Sequence, residues 1–238
     1  MSASLFIRPA PMELTDGDCR LSIFLGQFAP AMLTPTLFAQ HGLACPPQVQ
    51  RSVHKRQAEF LAGRICAQAA LQAHGLGHCE VAIGAQREPL WPAGMVGSIT
   101  HNGQYAAAIA CPQANMIGVG IDIETIVSAD AYAAMAPMII SPAEAECMRA
   151  CAWDLGEACL QTLVFSAKES FFKAAFGEVK AFFDFDAIEL TAVDGAGGLL
   201  HFRCMHPLGA RLPLGLACAA QFHLLDAGTV LTTVILRR

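Results

Sequence analysis

Apolar residues recur along the first half of the chain at spacings typical of a helix. From residue 47 onward the apolar positions share one helical face: Val53, Phe60, Leu61, Ile65, Ala69 and Leu71. This pattern predicts one helix that Gly75 and Gly77 end. The basic residues of the same segment are Arg51, Lys55, Arg56 and Arg64. Residues 1–50 carry many prolines and are predicted to be irregular, with a turn at Asp16-Gly17.

Shorter apolar runs between glycine, proline and asparagine residues predict strands. In the first half these are residues 79–83, 96–100, 105–111 and a long run at 116–124 that could be buried on both faces. Three helices are predicted next: a small one after polar residues 128–130, one at 142–150 behind a capping box of Ser141 and Glu144, and one at 160–176 before Gly177. The last predicted strands are 188–193, 198–205, 214–225 and 229–236.

The order of these elements is helix then strands, followed by helices then strands. It predicts an α+β fold of two lobes, residues 1–115 and 116–238. Ligand clefts commonly lie between lobes, so the active site is expected there.

Composition narrows the possible function classes. The chain has 238 residues, of which 54% are apolar and 15% charged, so a folded core is expected rather than disorder. No apolar run reaches the roughly 18 residues of a membrane span, and we expect no signal peptide. A net charge of −5 argues against a broad nucleic-acid surface.

Ten cysteines are scattered without a CxxC pair, which favours free thiols in the cytoplasm over disulfides or a zinc ribbon. His74, His78 and Cys79 have metal-like spacing but lack a fourth zinc ligand.

Two carboxylates stand two residues apart in the predicted strand at 116–124. Asp122 and Glu124 should therefore share one face, where they would repel each other and lose hydration. Mg²⁺ would relieve both costs, because it prefers carboxylate oxygens and substrate phosphates. The alternative is a strand end at which both acids reach water. Gly118-Val-Gly120 lacks the third glycine and the following helix of a dinucleotide fingerprint.

A carboxylate and an ammonium lie one helical turn apart in the helix predicted at 160–176. Glu169 and Lys173 share a face with Phe165, Phe172 and Phe176, and this stripe is predicted to point inward. The alternative is a surface ion pair, which would contribute about 0.3–0.5 kcal/mol. Lys168 is expected to point elsewhere and to reach solvent.

Polar and basic residues of the first half could form an anion site. Ser98 and His101 lie in a loop that could bind a phosphate, although a Ser/His nucleophile pair is a further alternative. Arg56 and Arg64 are slightly over two turns apart and can face the same side, which suits a phosphate monoester. Arg87 is another candidate for binding a phosphate.

Five stretches together resemble the 4′-phosphopantetheinyl transferases of the surfactin- and enterobactin-synthetase type. They are Lys55-Arg-Gln-Ala-Glu-Phe-Leu-Ala-Gly-Arg64, Arg87-Glu-Pro-Leu-Trp-Pro92, Gly97-Ser-Ile-Thr-His-Asn102, Gly118-Val-Gly-Ile-Asp-Ile-Glu124 and Phe165-Ser-Ala-Lys-Glu-Ser-Phe-Phe-Lys173. The resemblance runs from about residue 50 to 190. It implies a pseudo-two-fold pair of similar α/β lobes with the active site between them.

The resemblance also implies a reaction. Such enzymes move phosphopantetheine from coenzyme A to a serine of an apo acyl or peptidyl carrier protein and release adenosine 3′,5′-bisphosphate. Asp122, Glu124 and Glu169 match the Mg²⁺ (or Mn²⁺) ligands, Glu169 also matches the proposed base, and Lys173 matches the lysine at the pyrophosphate. Arg56, Arg64 and His101, with Ser98 in the same loop, match 3′-phosphate contacts.

Two positions depart from the family pattern. Phe165 stands where many members carry Trp, and Ile83 stands where enterobactin-like members often carry a basic residue, for which Arg87 could substitute. The N-terminal lobe is thus expected to hold the 3′-phosphate and the C-terminal lobe the metal and the catalytic residues.

Two other functions remain as alternatives. They are a non-catalytic module that binds coenzyme A or a carrier, and a Mg²⁺-dependent nucleotide hydrolase. The chain is expected to be a monomer, and Phe182, Phe183 and Phe185 could form a docking patch or belong to the core.

Overall fold

The computed structural model describes residues 6–17, 19–114, 116–151 and 153–238. It divides into two units, Met1–Ala114 and Asn115–Arg238. Each unit has its own antiparallel sheet and its own long helix, so the predicted α+β class is confirmed. The residue at which the predicted lobes meet, Asn115, lies outside the described residues.

The first unit is a four-stranded sheet with a helix packed on one face. Its elements are β1 (Ala10–Asp16), β2 (Cys19–Gln27), α1 (Leu37–Gln40), α2 (Pro47–Gln50), α3 (His54–Gln72), β3 (Ala82–Ile83), β4 (Pro89–Leu90), β5 (Met95–His101) and β6 (Tyr105–Pro112). The sheet order is β1-β2-β6-β5, and β3 pairs with β4 in a separate small hairpin. Leu61, Ile65 and other α3 residues form the core with Ala106, Ala108 and Ala110 of β6.

The prediction that residues 1–50 are irregular is wrong. The Asp16-Gly17 turn joins β1 to β2, with Asp16 opposite Cys19 and Gly17 at a φ of +57°. Pro11 is tolerated because β1 is an edge strand, where a missing N–H need not break the ladder. Prolines that suggested a loop are therefore compatible with a strand here.

The single helix predicted from residue 47 is also wrong in its first turns. Val53 is the non-helical residue before α3 and is 73% exposed, so it does not belong to the apolar face. Arg51 follows α2 and lies outside α3. The helix ends at Gln72, three residues before Gly75, whose φ is +74°.

The second unit is a five-stranded sheet with three helices. Its elements are β7 (Met116–Thr125), α4 (Ala129–Ile139), α5 (Pro142–Ala150), α6 (Glu157–Val179), β8 (Ile188–Asp194), β9 (Leu199–Cys204), β10 (Ala217–Asp226) and β11 (Thr229–Arg237). The sheet order is β7-β11-β10-β9-β8, so the predicted strands are confirmed with small changes at their ends. The capping box of Ser141 and Glu144 is present. Gly177 does not end α6, which continues to Val179 before Lys180 adopts a φ of +53°.

Helix α6 lies close against β7 because two strand positions lack a side chain. A Cβ on Gly118 would be 2.0 Å from the Ala174 carbonyl oxygen, and one on Gly120 would be 1.9 Å from that of Ser170. Gly118-Val-Gly120 therefore serves helix packing and not a dinucleotide. None of the described helices combines the length and apolar content needed to cross a bilayer.

A matched pair of glycine substitutions tests this packing. Gly120→Ala should lower the free energy of unfolding by about 1–3 kcal/mol, since overpacking forces α6 away from β7. Gly177→Ala is the control, because its Cβ would meet nothing within 4 Å, and it should raise the free energy by about 0.5–1 kcal/mol. Urea unfolding measures both, and equal stability of the two variants would contradict the close approach.

Candidate active site

Helix α6 and strand β7 bring together two of the residues that the sequence singled out, Lys173 and Asp122. The Lys173 ammonium donates to Asp122 Oδ1 at 2.6 Å and to the Ile121 carbonyl oxygen at 3.1 Å. Asp122 is only 4% exposed, so the interpretation of this acid as a solvated strand end is wrong. Asp122 Oδ2 accepts a 2.9 Å hydrogen bond from the Ser166 hydroxyl.

The carboxylates of Glu124 and Glu169 complete this cluster, and the neighbouring charges affect their pKa values. Burial raises the pKa of Glu124 to about 7, with contributions from the nearby Asp122 and Glu169 carboxylates that the Lys173 ammonium opposes. Burial also raises the pKa of Glu169, followed by the effect of Asp122, while Lys173 again opposes the shift. The cluster thus holds three acids and one ammonium, which leaves two negative charges when all are ionised.

This donor set suits Mg²⁺. In the described part of the chain no three His, Cys, Asp or Glu side chains are already gathered around one point. Mg²⁺ usually keeps several waters and takes only one or two carboxylates together with substrate phosphates, so it needs no closed protein cage. Asp122, Glu124 and Glu169 therefore fit a cation that is shared with a phosphorylated ligand, and their excess charge matches a divalent ion.

The prediction that the Glu169 stripe points inward is wrong. Phe165, Glu169, Phe172, Lys173 and Phe176 are all half-buried. The fully buried face of α6 is a different one, built from Leu163, Ala167, Phe171, Ala174 and Ala175. The glycines of β7 leave room for the small residues of α6, so that face of the helix packs against the strand. Glu169 and Lys173 lie on a different face of α6 and are partly exposed to solvent. A substrate can reach a group in that position.

The first unit contains a cleft of about 550 Å³ lined by basic residues. Arg56 and Arg64 both line it, as their two-turn spacing predicted, together with Arg87 and His101. Ile83 lines the same cleft, so Arg87 lies where it could supply the charge that Ile83 lacks. Arg87 adopts a φ of +68° in the tight β3–β4 connection.

Arg64 is a buried cation within this cleft. It is 9% exposed, its guanidinium carbon lies 4.6 Å from the centroid of the Phe60 ring, and among the described residues its Nε has no hydrogen-bond partner. Burial lowers its pKa to about 10, and the neighbouring Arg56 adds to this shift. The group therefore stays charged at neutral pH and has hydrogen-bonding capacity left for an anion.

His101 is oriented by its neighbours. The Arg56 guanidinium donates to His101 Nε2 at 2.8 Å, and since a guanidinium has no acceptor, Nε2 must be the unprotonated nitrogen. The proton then lies on Nδ1, which is 3.7 Å from a Glu59 carboxylate oxygen. Arg56 is itself 3.9 Å from that carboxylate.

Among the predicted 3′-phosphate contacts, Ser98 is the one that the structure does not bring to this cleft. Side chains alternate along β5, so Gly97, Ile99 and His101 face one way and Ser98 the other. Ile99 and His101 line the cleft, whereas Ser98 is 2% exposed on the opposite face of the strand.

Lys168 was expected to reach solvent, and this prediction is wrong. It is 3% exposed and donates to the Ile139 carbonyl oxygen at 2.7 Å and to Glu144 at 2.8–2.9 Å. Glu144 also accepts from the backbone N–H groups of Ser141 and Leu190, each at 2.8 Å. The capping box predicted a local role for Glu144, but no sequence pattern predicted its ion pair with Lys168.

The phenylalanines after α6 divide between core and surface. Phe183 packs against the core and contacts the Phe171 and Phe172 rings. Phe185 contacts Phe165, whereas Phe182 is 83% exposed. Phe182 and Glu169 line the same pocket of about 250 Å³.

Two family models match this chain, one in each unit. The 4′-phosphopantetheinyl transferase N-terminal domain family model matches residues 46–111, and the 4′-phosphopantetheinyl transferase superfamily model matches residues 118–214. Together they span the basic cleft and the acidic cluster.

Three relatives illustrate the similarity, at 36–42% identity. Enterobactin synthase component D of Escherichia coli strain K12 is 42% identical over 144 residues, which cover 59% of this chain and 66% of that protein. Its counterpart in Salmonella typhi is 38% identical over 167 residues, covering 69% and 68% respectively. The 4′-phosphopantetheinyl transferase Svp of Streptomyces mobaraensis is 36% identical over 159 residues, covering 67% and 63%.

The chain thus spans about two thirds of the length of the relatives it matches. Both family models and the identities to these relatives lead to one conclusion: the chain belongs to the 4′-phosphopantetheinyl transferase superfamily, within its enterobactin-synthase type.

Proposed function

We propose that this protein transfers 4′-phosphopantetheine from coenzyme A to a serine hydroxyl of an apo carrier protein. The observation that carries the proposal is the cluster of Asp122, Glu124, Glu169 and Lys173. In it Lys173 pairs with Asp122, while burial and the neighbouring carboxylates raise the pKa values of Glu124 and Glu169. A module that only binds coenzyme A would have no use for a half-buried carboxylate beside two further acids that suit a cation.

Two groups of residues would bind the two phosphorylated groups of coenzyme A, its 3′-phosphate and its pyrophosphate. Arg56, Arg64, Arg87 and His101 would bind the 3′-phosphate in the cleft of the first unit, where the unpartnered Nε of Arg64 offers a ready donor. Lys173 would bind the pyrophosphate in the second unit. Ser98 faces away from this cleft and is 2% exposed, so it is left out of the proposed 3′-phosphate contacts.

Glu169 would act as the base for the carrier serine. Its raised pKa brings it closer to neutral pH, where a base is most useful. The serine proton passes to the Glu169 carboxylate, directly or through one water. The serine oxygen forms a bond to the β-phosphorus of coenzyme A, and the bond from that phosphorus to the bridging oxygen breaks. Adenosine 3′,5′-bisphosphate leaves with the bond's electron pair.

Charge neutralisation would come from two sources. Mg²⁺ (or Mn²⁺), held by Asp122, Glu124 and Glu169, would neutralise the pyrophosphate oxygens as charge moves to the leaving group. Lys173 would supply the second positive charge from its position on Asp122. In this scheme Asp122 both holds the cation and orients the lysine.

The partner is proposed to be an acyl or peptidyl carrier protein, since the relatives include proteins named enterobactin synthase component D. Siderophore, nonribosomal peptide and polyketide assembly are the corresponding pathways. The ten free cysteines favour a reducing compartment, so we place the protein in the cytoplasm. It is proposed to act as a monomer, without membrane or nucleic acid.

Mass spectrometry of carriers tests the proposal. The full chain, coenzyme A and Mg²⁺ are incubated with apo carriers of the fatty-acid, polyketide and peptidyl classes, and a phosphopantetheine adduct is expected on at least one of them. Coenzyme A binding without an adduct on any carrier would favour the binding module, and bisphosphate release without a carrier would favour a hydrolase. An incubation with EDTA is expected to stop the reaction.

Removal of the Arg56 guanidinium should change KM for coenzyme A but not KM for 3′-dephospho-coenzyme A. Arg56→Ala is expected to raise KM for coenzyme A by about tenfold or more, since a hydrogen bond to a charged group contributes roughly 1.5–3 kcal/mol. KM for the dephospho compound, which lacks the phosphate, should change little.

Arg20→Ala, on β2 and outside the cleft, is the control for the loss of positive charge. An equal rise in KM for both substrates would contradict the 3′-phosphate assignment.

A further inference from the structure

We infer that Ser166, Ser170 and Thr232 form a directed chain of hydroxyl groups that orients Asp122 towards the divalent cation. Ser166 and Ser170 lie on α6, and Thr232 lies on β11 opposite Asp122 of β7. The inference rests on the proposed function, because it assigns these three residues to the metal site of that reaction. They are positioning residues and do not themselves touch substrate.

The three hydroxyls are continuous and closed to solvent. Ser166 Oγ is 2.9 Å from Asp122 Oδ2 and 2.9 Å from Thr232 Oγ1, which is in turn 2.7 Å from Ser170 Oγ. All three residues are 0% exposed. Each buried hydroxyl is hydrogen-bonded to another member of this group or to Asp122, which offsets its desolvation cost and fixes its orientation.

Proton counting sets the direction of the chain. A carboxylate accepts only, so Ser166 must donate its single proton to Asp122. For the two remaining contacts also to be hydrogen bonds, Thr232 must donate to Ser166 and Ser170 must donate to Thr232. The Ser170 hydroxyl also lies 3.1 Å from the Thr232 carbonyl oxygen, which competes for the same proton. In this arrangement every hydroxyl donates towards Asp122, and such aligned bonds polarise one another.

The chain of hydroxyl groups and Lys173 restrain the Asp122 carboxylate from two sides. Ser166 holds Oδ2 while Lys173 holds Oδ1, so the carboxylate plane is set before any ligand arrives. Mg²⁺ demands near-ideal octahedral geometry, which makes the orientation of its ligands important. Loss of an outer partner of this kind typically lowers metal affinity 10–100-fold.

Neighbouring threonines on β11 give a matched test. Thr232→Val and Thr233→Val each remove one buried hydroxyl without changing the side-chain shape. Thr233 is 1% exposed, points to the other face of the strand, and has a hydroxyl with no hydrogen-bond partner among the described residues. Its loss should therefore leave the metal site unchanged.

The measurement is direct Mn²⁺ binding to the full-length protein by electron paramagnetic resonance, with and without coenzyme A and with no carrier present. Ser166→Ala should weaken Mn²⁺ binding by about 10–100-fold. Thr232→Val should weaken it by a smaller factor, and Thr233→Val should match the wild type. Saturating Mn²⁺ should largely restore kcat in Thr232→Val, since its three acids and Lys173 are intact.

Several results would overturn the inference. They are wild-type Mn²⁺ affinity in both Ser166→Ala and Thr232→Val, equal weakening by Thr233→Val, or no Mn²⁺ binding by the wild type in either condition. Thr232→Val keeps the packing and so remains informative if Ser166→Ala does not fold. Failure of the proposed function would be distinguishable, because the wild-type protein would then form no phosphopantetheine adduct whatever the variants bind.

Discussion

Asp122→Asn is expected to lower kcat/KM for carrier modification by about 10²–10³-fold, the loss typical when a preorganised electrostatic contact of a transition state is removed. The substitution keeps the shape of the side chain but removes its charge. Asp122 is both a proposed cation ligand and the ion-pair partner of Lys173 at 2.6 Å, so one change weakens both sources of positive charge at the pyrophosphate. The measurement is the initial rate of holo-carrier formation by mass spectrometry at several Mg²⁺ concentrations.

A matched acid serves as the control. Asp154→Asn removes the same charge from an exposed position in the same unit and should leave kcat/KM unchanged. Near-UV circular dichroism of both variants reports whether the fold is retained. Wild-type activity in a folded Asp122→Asn protein would contradict the metal assignment.

Lys168→Met is expected to lower the free energy of unfolding by about 3–5 kcal/mol, because it leaves the Glu144 carboxylate buried without its ammonium partner. Lys168 joins three segments: it lies on α6 and bonds Glu144 of α5 and the carbonyl of Ile139, the last residue of α4. Glu144 extends the connection to the backbone of β8 through the Leu190 N–H. Urea denaturation followed by far-UV circular dichroism gives the free energy.

An exposed ion pair of the same unit provides the comparison. Arg203 lies 3.4 Å from Glu189 across β9 and β8, and its side chain is 53% exposed. Arg203→Met should cost at most about 1 kcal/mol, since solvent already screens that pair. Similar losses for Lys168→Met and Arg203→Met would show that burial of the Lys168 pair matters less than the geometry indicates.

The outcome for α6 shows where periodicity misleads. Bulky phenylalanines at helical spacing predicted an inward stripe, yet Phe165, Phe172 and Phe176 are half-buried. A hydrophobicity pattern favours large apolar side chains as the buried face of a helix. The contact of α6 with β7 instead depends on small residues, which let the two backbones approach each other. Gly118 and Gly120 are visible in the sequence as small residues. Only the packed strand and helix show that they contact the face of α6 that carries Ser170 and Ala174.

Long-range partners escaped the sequence for a similar reason. Lys168 and Glu144 are 24 residues apart, and Ser166 and Thr232 are 66 apart. Their pairing depends on how α5 and β11 pack against α6, and no local spacing encodes it. Arg56 and Arg64, by contrast, share one helix, so their common side followed from the helical repeat.

The sequence by itself determined the family, the strand and helix order from β5 onward, and the candidates for the acidic and basic groups. These depend on residue identity, local period and turn chemistry, all of which are written along the chain. The tertiary structure alone decided that Asp122 is buried and holds Lys173, that Lys168 is buried while Glu169 is half-open, and that Ser98 faces away from the cleft. Burial and pairing arise from contacts between distant segments, so they exist only once the sheet and its helices have packed.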